Sequence, residues 1–370
     1  MIDVVAAEVG LISRQKALWQ ANQTMQNTNA NWPRDSRGWF THFTGPEFNV
    51  QGEFSTIDSS IMIAGAYMAG NYFPELKSLA ESIGNTPQWN SIFPGGEDGP
   101  FGMFMVSGGG GMGGETKPFN EYYIVAFLAQ MHEDPSSNLA KNFFRDMFGD
   151  PNVNNGKPVG RVVSWGQRFP VDRVYQGYRM QSDGDWDMST FALQFPWIAV
   201  TGMHSNPWWR DIVYPEWYEA ERHWWNSLTN KDWAGFQTSW GADAFGKVFG
   251  CGAGDSPTGY YVEKIRNDAN YVFSAANMAG FLGLEEKRAT INANLQWMYD
   301  NGIHYTKVMA DGSTAKVLWR HSLNNPTWRG GWSTSVDYST MVLGYAFNYL
   351  PSGFYSTYAA GLKRAFIAST

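Results

Sequence analysis

Cysteine is almost absent from this chain, since Cys251 is the single one in 370 residues. One cysteine can form neither an internal disulfide nor a thiolate metal cluster. Its place between Gly250 and Gly252 is typical of a small packing residue. The six histidines show no spacing that would pair them as metal ligands. We therefore expect neither a metal nor another cofactor.

Long apolar runs and positive charge are also scarce. No segment approaches the roughly 20 apolar residues that a membrane-spanning helix needs, so we expect no membrane span. The first residues lack a basic stretch followed by an apolar core. We expect a periplasmic or extracellular location if a signal peptide has been removed, and a cytoplasmic one otherwise. The net charge of −7, from 27 Lys+Arg against 34 Asp+Glu, disfavours binding to nucleic acid.

Two kinds of helical segment alternate along the chain. One kind is apolar or small on nearly all sides and the other has one polar face, which distinguishes buried helices from surface helices. The pattern predicts an all-α fold, an (α/α)6 barrel whose inner ring of helices lies inside an outer ring. The buried kind covers 55–72, 118–131, 188–202, 268–282 and 335–349, and the amphipathic kind covers 74–84, 136–148, 207–228, 284–300 and 354–367.

The remaining segments fit this scheme. Residues 3–27 have the pattern of a first helix, and no linker-like stretch divides the chain, so we expect a single domain over 1–370 and a monomer. The loops between helix pairs are longer than a simple connection requires, and several of them precede an inner helix. We expect them to gather at one end of the barrel. One loop segment, 305–318, predicts a small β-hairpin with a turn at Asp311-Gly312.

Acidic residues recur where inner helices begin. Glu53 and Asp58 precede or open the first, Glu121 opens the second, and Asp337 opens the last. A carboxylate beside a buried helix costs free energy unless it is paired, hydrogen-bonded or used in chemistry. If the inner helices run parallel, these acids converge on one rim and form an acidic pocket.

Aromatic residues are abundant, with 18 Trp, 18 Tyr and 24 Phe. Many of the tryptophans lie in polar or Gly-containing segments rather than in apolar periodic runs. A loop tryptophan offers a flat apolar face and one N–H donor, which suits the face of a sugar ring. It can equally anchor a long loop on a helical body. Our candidates for sugar stacking are Trp39, Trp165, Trp240 and Trp332.

Six motifs occur in a fixed order, the first of them in two parts: 38–43 with 53–58, then 120–123, 191–195, 254–260, 267–276 and 332–337. Together they resemble motifs of the bacterial glucoamylase-like family, which includes endo-β-1,2-glucanases, over nearly the whole chain. Leu193 stands where the family has histidine, and Tyr338-Ser339 where it has Gln-Gly. The resemblance implies a glycoside hydrolase of a β-glucan or related carbohydrate.

Glycosidic cleavage needs a protonated acid for the leaving oxygen and a second carboxylate. Glu121 suits the acid because Phe119, Tyr122 and Tyr123 give it an apolar setting. Asp58, at a helix start, suits a base that acts by inversion, although a helix-start acid paired with an arginine fits it equally well. Glu53 is a second candidate base. The expected substrate-binding residues, besides the tryptophans, are His42, Arg179, Gln194, Asp255, Tyr260, Asp268 and Asp337.

Two other functions stay open. A polysaccharide lyase on the same barrel would use a tyrosine or histidine as base and an arginine to neutralise a uronate, and Tyr122, His42 and Arg179 are candidates for those roles. The other alternative is a carbohydrate-binding protein that keeps the pocket without the reaction. Each hypothesis has a carbohydrate as its partner.

Overall fold

The computed structural model describes residues 1–44, 50–93, 103–108, 111–116, 119–162, 168–175, 177–182, 190–227, 254–256, 259–261, 272–273, 275–302, 304–319, 321–322 and 335–361. The helices in this part of the chain are α1 (Ile2–Glu8), α2 (Arg14–Asn31), α3 (Thr56–Tyr72), α4 (Lys77–Gly84), α5 (Tyr123–Met131), α6 (Leu139–Phe148), α7 (Phe191–Ala199), α8 (Gly202–Ser205), α9 (Tyr214–Ser227), α10 (Ala275–Gly280), α11 (Arg288–Asp300), α12 (Ser335–Tyr345) and α13 (Phe354–Tyr358).

Short strands lie between the helix pairs, all in antiparallel pairings. They are β1 (Thr41–Thr44), β2 (Val50–Ser55), β3 (Met103–Gly108), β4 (Gly111–Thr116), β5 (Arg161–Val162), β6 (Arg168–Phe169), β7 (Val171–Tyr175), β8 (Tyr178–Ser182), β9 (Gly254–Ser256), β10 (Gly259–Tyr261), β11 (Val272–Phe273), β12 (Tyr305–Val308), β13 (Thr314–Val317) and β14 (His321–Ser322).

The predicted alternation of buried and amphipathic helices is present in the described residues. Helices α5 and α10 are buried along nearly their whole length, as is α7 after its first residue. Their successors α6 and α11 each keep an exposed face. Helix α3 packs on α4 and α5 on α6, and the buried helices also contact one another. The molecule is therefore helical in its core, as the pattern predicts.

The predicted first helix over 3–27 is wrong in one respect, because two helices occupy that region. Helix α1 ends at Glu8 and α2 begins at Arg14. Gly10 between them has a φ of +76°, which is a left-handed conformation that ends a helix. Ser13 then caps α2, since its hydroxyl accepts a hydrogen bond from the Lys16 N–H at 3.2 Å.

The β-structure exceeds the single hairpin that the sequence predicts. The predicted hairpin is present as β12 and β13, and its turn contains Gly312 with a φ of +81°. In addition, β1 to β4 form a four-stranded sheet in sequential order. Strand β2 runs directly into α3, so this sheet lies at the start of a buried helix. An all-α classification therefore leaves out the part of the molecule nearest to the acids.

Helices α3 and α5 run parallel. Thr56, at the start of α3, bonds Tyr122, just before α5, while Tyr67 late in α3 bonds His132, just after α5. Gln194 of α7 donates to the carbonyl of Asn277 in α10 at 2.7 Å. Because corresponding ends meet, the starts of α3 and α5 lie side by side.

Close packing between α10 and α12 depends on Gly344. A Cβ at that position would lie 2.4 Å from the backbone oxygen of Ala279. We expect Gly344→Ala to lower the free energy of unfolding by about 1–3 kcal/mol, because the two helices would have to separate. Chemical denaturation of the purified variant measures the change.

Gly65 of α3 provides the matched control. A Cβ there meets its nearest atoms at 3.6 Å or more, which is ordinary contact. Gly65→Ala should stay within about 1 kcal/mol of the parent, on the stabilising side, because alanine is the better helix former. Equal losses in the two variants would contradict the close packing at Gly344.

Candidate active site

Three titratable side chains from three elements meet at the start of α3. His42 lies on β1, Glu53 on β2 and Asp58 in the first turn of α3. Nδ1 of His42 lies 3.3 Å from Oε1 of Glu53, and Nε2 of His42 lies 3.3 Å from Oδ2 of Asp58. Both carboxylate side chains are 50% exposed and the ring is 32% exposed. The cluster therefore faces solvent and is open to a ligand.

Strand pairing and a helix cap explain why this cluster forms. Thr41 pairs with Phe54, whereas Phe43 pairs with Gln51, so the register shifts beside His42 and Glu53. Such an irregularity changes the direction in which a strand's side chains point. Strand β1 is further tied to α3 because the Phe40 N–H donates to Ser59 Oγ at 2.9 Å.

Asp58 is fixed by the residue that caps its helix. Ser55 Oγ accepts a hydrogen bond from the Asp58 N–H at 3.1 Å and donates one to Asp58 Oδ2. This reciprocal arrangement satisfies an N–H group at the helix start and restrains the carboxylate. Asp58 is also a favourable charge for that end of the helix dipole. Asp58 therefore has a structural role in addition to any chemical one, and its described partners are His42 and Ser55.

Glu121 lies in the turn that opens α5. Asn120 shapes this turn, since its Oδ1 accepts from the Tyr122 N–H at 3.0 Å and its Nδ2 donates to Thr116 Oγ1 at 2.6 Å. Asn120 and Tyr122 are buried, whereas Glu121 between them is partly exposed. The turn therefore presents Glu121 at the edge of a buried surface.

A buried tyrosine joins the two helix starts. The hydroxyl of Tyr122, which is 3% exposed, accepts a hydrogen bond from Thr56 Oγ1 at 3.3 Å. Burial is the main reason that the pKa of Tyr122 lies far above its usual range, and the hydrogen bond from Thr56 opposes that shift. The negative charges of Glu121, Asp58 and Glu53 raise it further. Acids from two segments that are distant in sequence, 53–58 and Glu121, therefore act on one phenol.

Two expected substrate-binding residues have other roles in the structure. Trp39 is fully buried and its Nε1 donates to Ser91 Oγ at 3.2 Å, so its ring offers no face to a sugar. Gln194 is also fully buried, and its amide joins α7 to α10. Both expectations fail for the same reason: each side chain is part of the core.

Arg179 lies on β8, where its guanidinium packs over the ring of Trp208 at 4.7 Å. Its backbone N–H donates to Glu216 Oε2 at 2.7 Å, which ties the strand to α9. Stacking on a buried tryptophan accounts for this arginine without a ligand. Its predicted role in binding a sugar stays a prediction.

Several expected site residues lie outside the described part of the chain. They are Trp165, Trp240, Asp268 and Trp332. Asp255 on β9, Tyr260 on β10 and Asp337 on α12 are described in their backbone alone. Their predicted roles stay predictions.

Ser55, Thr56, Asn120 and Tyr122 support the acidic cluster, a role that was not predicted from the sequence. A signal was present for one of them, because Ser55-x-x-Asp58 has the spacing of a capping motif. The contact between Thr56 and Tyr122 is a tertiary one, which local spacing does not reveal.

A separate cavity of about 460 Å³ opens at the C-terminal ends of α7, α10 and α12, with Trp197, Gly283 and Phe347 in its wall. Its charges are mixed, and Arg210 pairs with Asp211 there at 2.7 Å. Burial lowers the pKa of His204, also in its wall, to about 4. Asp58 and Glu121 lie instead at the N-terminal ends of their helices, so the cavity is distinct from the acidic cluster.

Two features are missing from the described residues. No group of three or more His, Cys, Asp or Glu among them is arranged to hold a metal ion. None of the helices that the structure describes is long and apolar enough to cross a membrane.

No protein-family model matches this chain, and no curated protein is similar to it. Solved structures are similar. A putative glucoamylase from Bacteroides uniformis superposes with a TM-score of 0.69 at 14% identity, over 96% of this chain and 82% of that one. An endo-β-1,2-glucanase from Chitinophaga pinensis gives 0.62 at 15% identity, over 96% and 81%.

A β-1,2-glucanase from Parabacteroides distasonis gives a TM-score of 0.65 at 12% identity, over 95% of this chain and 51% of that one. At such identities the similarity establishes the fold. The chain therefore has the glucoamylase-like fold that these proteins share, which agrees with the resemblance found in the sequence.

The cap of α3 can be tested by removing its hydroxyl. Ser55→Ala should lower the free energy of unfolding by about 0.5–2 kcal/mol, because an N–H at the helix start loses its acceptor and Asp58 loses a donor. Ser13→Ala removes the corresponding cap of α2 and should cost a similar amount. Denaturation curves that show no loss for Ser55→Ala would contradict the capping role.

Proposed function

We propose that this chain is a glycoside hydrolase of the glucoamylase-like family, acting on a β-glucan or a related polysaccharide or oligosaccharide. We further propose that its residues 1–370 form one domain, an (α/α)6 barrel. The observation that carries the proposal is that His42 joins Glu53 and Asp58 at the start of α3, while Thr56 joins the same helix start to Tyr122, the neighbour of Glu121. The fold of the similar glucanases supports the same reaction class.

In this proposal Glu121 is the general acid. It is partly exposed, so it can reach a substrate, and it lies between the buried aromatic residues Phe119 and Tyr122. An apolar setting favours the protonated form of a carboxyl group, which is the form that donates a proton to the leaving glycosidic oxygen. As the bond from the anomeric carbon to that oxygen breaks, its electrons go to the oxygen and the proton from Glu121 neutralises it.

Asp58 is the proposed general base. Its carboxylate accepts a hydrogen bond from Ser55 and lies 3.3 Å from Nε2 of His42, so its position at the start of α3 is fixed. A carboxylate whose Oδ2 already accepts a hydrogen bond from Ser55 suits orienting a water molecule better than forming a covalent bond. The water would give its proton to Asp58 and attack the anomeric carbon from the face opposite to the leaving group. We therefore propose inversion of configuration.

The lyase alternative is less favoured because of Tyr122. A tyrosine that acts as the base must ionise near neutral pH, whereas burial and three nearby carboxylates hold the pKa of Tyr122 far above that range. The assay is a panel of β-linked glucans and uronic-acid polysaccharides, with β-1,2-glucan included. Reducing ends without absorbance from a new double bond support a hydrolase, and that absorbance would indicate a lyase.

We expect Glu121→Gln and Asp58→Asn each to lower kcat by roughly 10²- to 10⁴-fold, because each change removes one of the two proton-transfer groups. The fold should remain, since each replacement is close to isosteric. Initial rates of reducing-sugar release and thermal unfolding measure the two effects.

Matched controls are Glu75→Gln and Asp211→Asn, whose carboxylates pair with exposed arginines on the surface. These variants should retain parental rates. If Glu121→Gln and Asp58→Asn also turn substrate over like the parent, the assignment of the acid and base is wrong. Sugar binding with no cleavage by the parent would favour a carbohydrate-binding protein instead.

A further inference from the structure

We infer that His42 is a positioning residue that bridges the two candidate bases, Glu53 and Asp58. The inference rests on the proposed function and adds a role to the same site. It replaces the expectation that His42 binds sugar directly. Both nitrogens of the ring already face carboxylates, at 3.3 Å each, so neither is placed for a sugar hydroxyl.

The number of N–H donors on the His42 ring determines which protonation state can hydrogen-bond both carboxylates. Nδ1 hydrogen-bonds Glu53, and Nε2 lies within ion-pair distance of Asp58. A neutral imidazole has a single N–H donor, whereas the protonated ring has two. The protonated ring therefore satisfies both carboxylates at once, and each contact is then assisted by charge.

The surroundings of His42 explain why such a bridge is needed. Glu53, Asp58 and Glu121 all act on Tyr122, so three negative charges lie near one another. Strands β3 and β4 add Glu115 to the titratable groups on neighbouring elements. Among the described residues of β1 to β4 and the first turn of α3, His42 is the single side chain that can carry a positive charge.

A positive charge between two carboxylates reduces their mutual repulsion. Without the charge of His42, a proton shared by Glu53 and Asp58 would relieve the repulsion. Asp58 would then be unable to accept a proton from water. The bridge also restrains Asp58 together with Ser55, so two contacts from different elements fix its Oδ2. His42 thus affects the reaction through Asp58, and Glu121 remains the carboxyl group that carries the proton for the leaving oxygen.

A double-mutant cycle tests the inference. His42→Gln should lower kcat by roughly 10- to 100-fold with little change in KM, because the base is disordered while the sugar contacts remain. In the Asp58→Asn background the same substitution should cause no further loss. The acidic limb of the pH–rate profile of His42→Gln should move to higher pH, since a carboxylate without its cation is protonated more easily.

His132→Gln is the matched control. That ring also bridges two partners, Tyr67 and Asn85, but it follows the last residue of α5, a helix of roughly 13 Å whose other end carries Glu121. It should lose thermal stability and keep the parental kcat and pH profile. The inference would be overturned if the kcat losses of His42→Gln and Asp58→Asn multiply in the double variant. A pH–rate profile of His42→Gln like that of the parent would also overturn it.

A second readout does not depend on activity. Titration of the ¹⁵N-labelled histidine rings by NMR follows the two nitrogens of His42, assigned with His42→Gln, and the other five histidines serve as internal references. Glu53→Gln and Asp58→Asn should each lower the pH at which the protonated His42 ring becomes neutral. An unchanged His42 titration in both variants would overturn the bridge. If the parent cleaves no carbohydrate, the proposed function fails while this titration still decides the bridge.

Discussion

The concentration of negative charge where two buried helices begin is the constraint on which the rest of the site depends. Carboxylates there repel one another and lose part of their hydration. The chain compensates with local donors: Ser55 and His42 hold Asp58, and Asn120 shapes the turn that carries Glu121. Each donor comes from a loop, strand or turn rather than from the helical core. The strands beside the core are therefore as necessary to the site as the helices.

The helical core contributes by bringing distant segments into register. Parallel packing of α3 and α5 places Thr56 against Tyr122, and this contact fixes the distance between the turns that carry Asp58 and Glu121. Small residues allow the buried helices to approach one another, as at Gly344 beside Ala279. Similar structures share this fold at 12–15% identity. The arrangement of the helices is therefore the same although most of the residues that form it differ.

Much of the fold could be predicted from the sequence. Apolar runs such as 118–131 identify buried helices directly, because burial leaves a periodic pattern. The acids at helix starts could also be found, since each interrupts such a pattern. The four-stranded sheet could not, because glycine-rich strands such as 111–116 show no alternation of apolar and polar residues. Trp39 was misassigned because its polar neighbourhood, with Gly38 before it, does not reveal that the ring packs against Trp89 in the core.

The most direct test of the account is an experimental structure of the Glu121→Gln protein with an oligosaccharide that the parent cleaves. The account predicts one glycosidic bond between residue 121 and Asp58, with a water molecule held by Asp58 beneath the anomeric carbon. An oligosaccharide bound instead in the cavity beside Trp197, or Asp58 turned away from the sugar and its water, would contradict it.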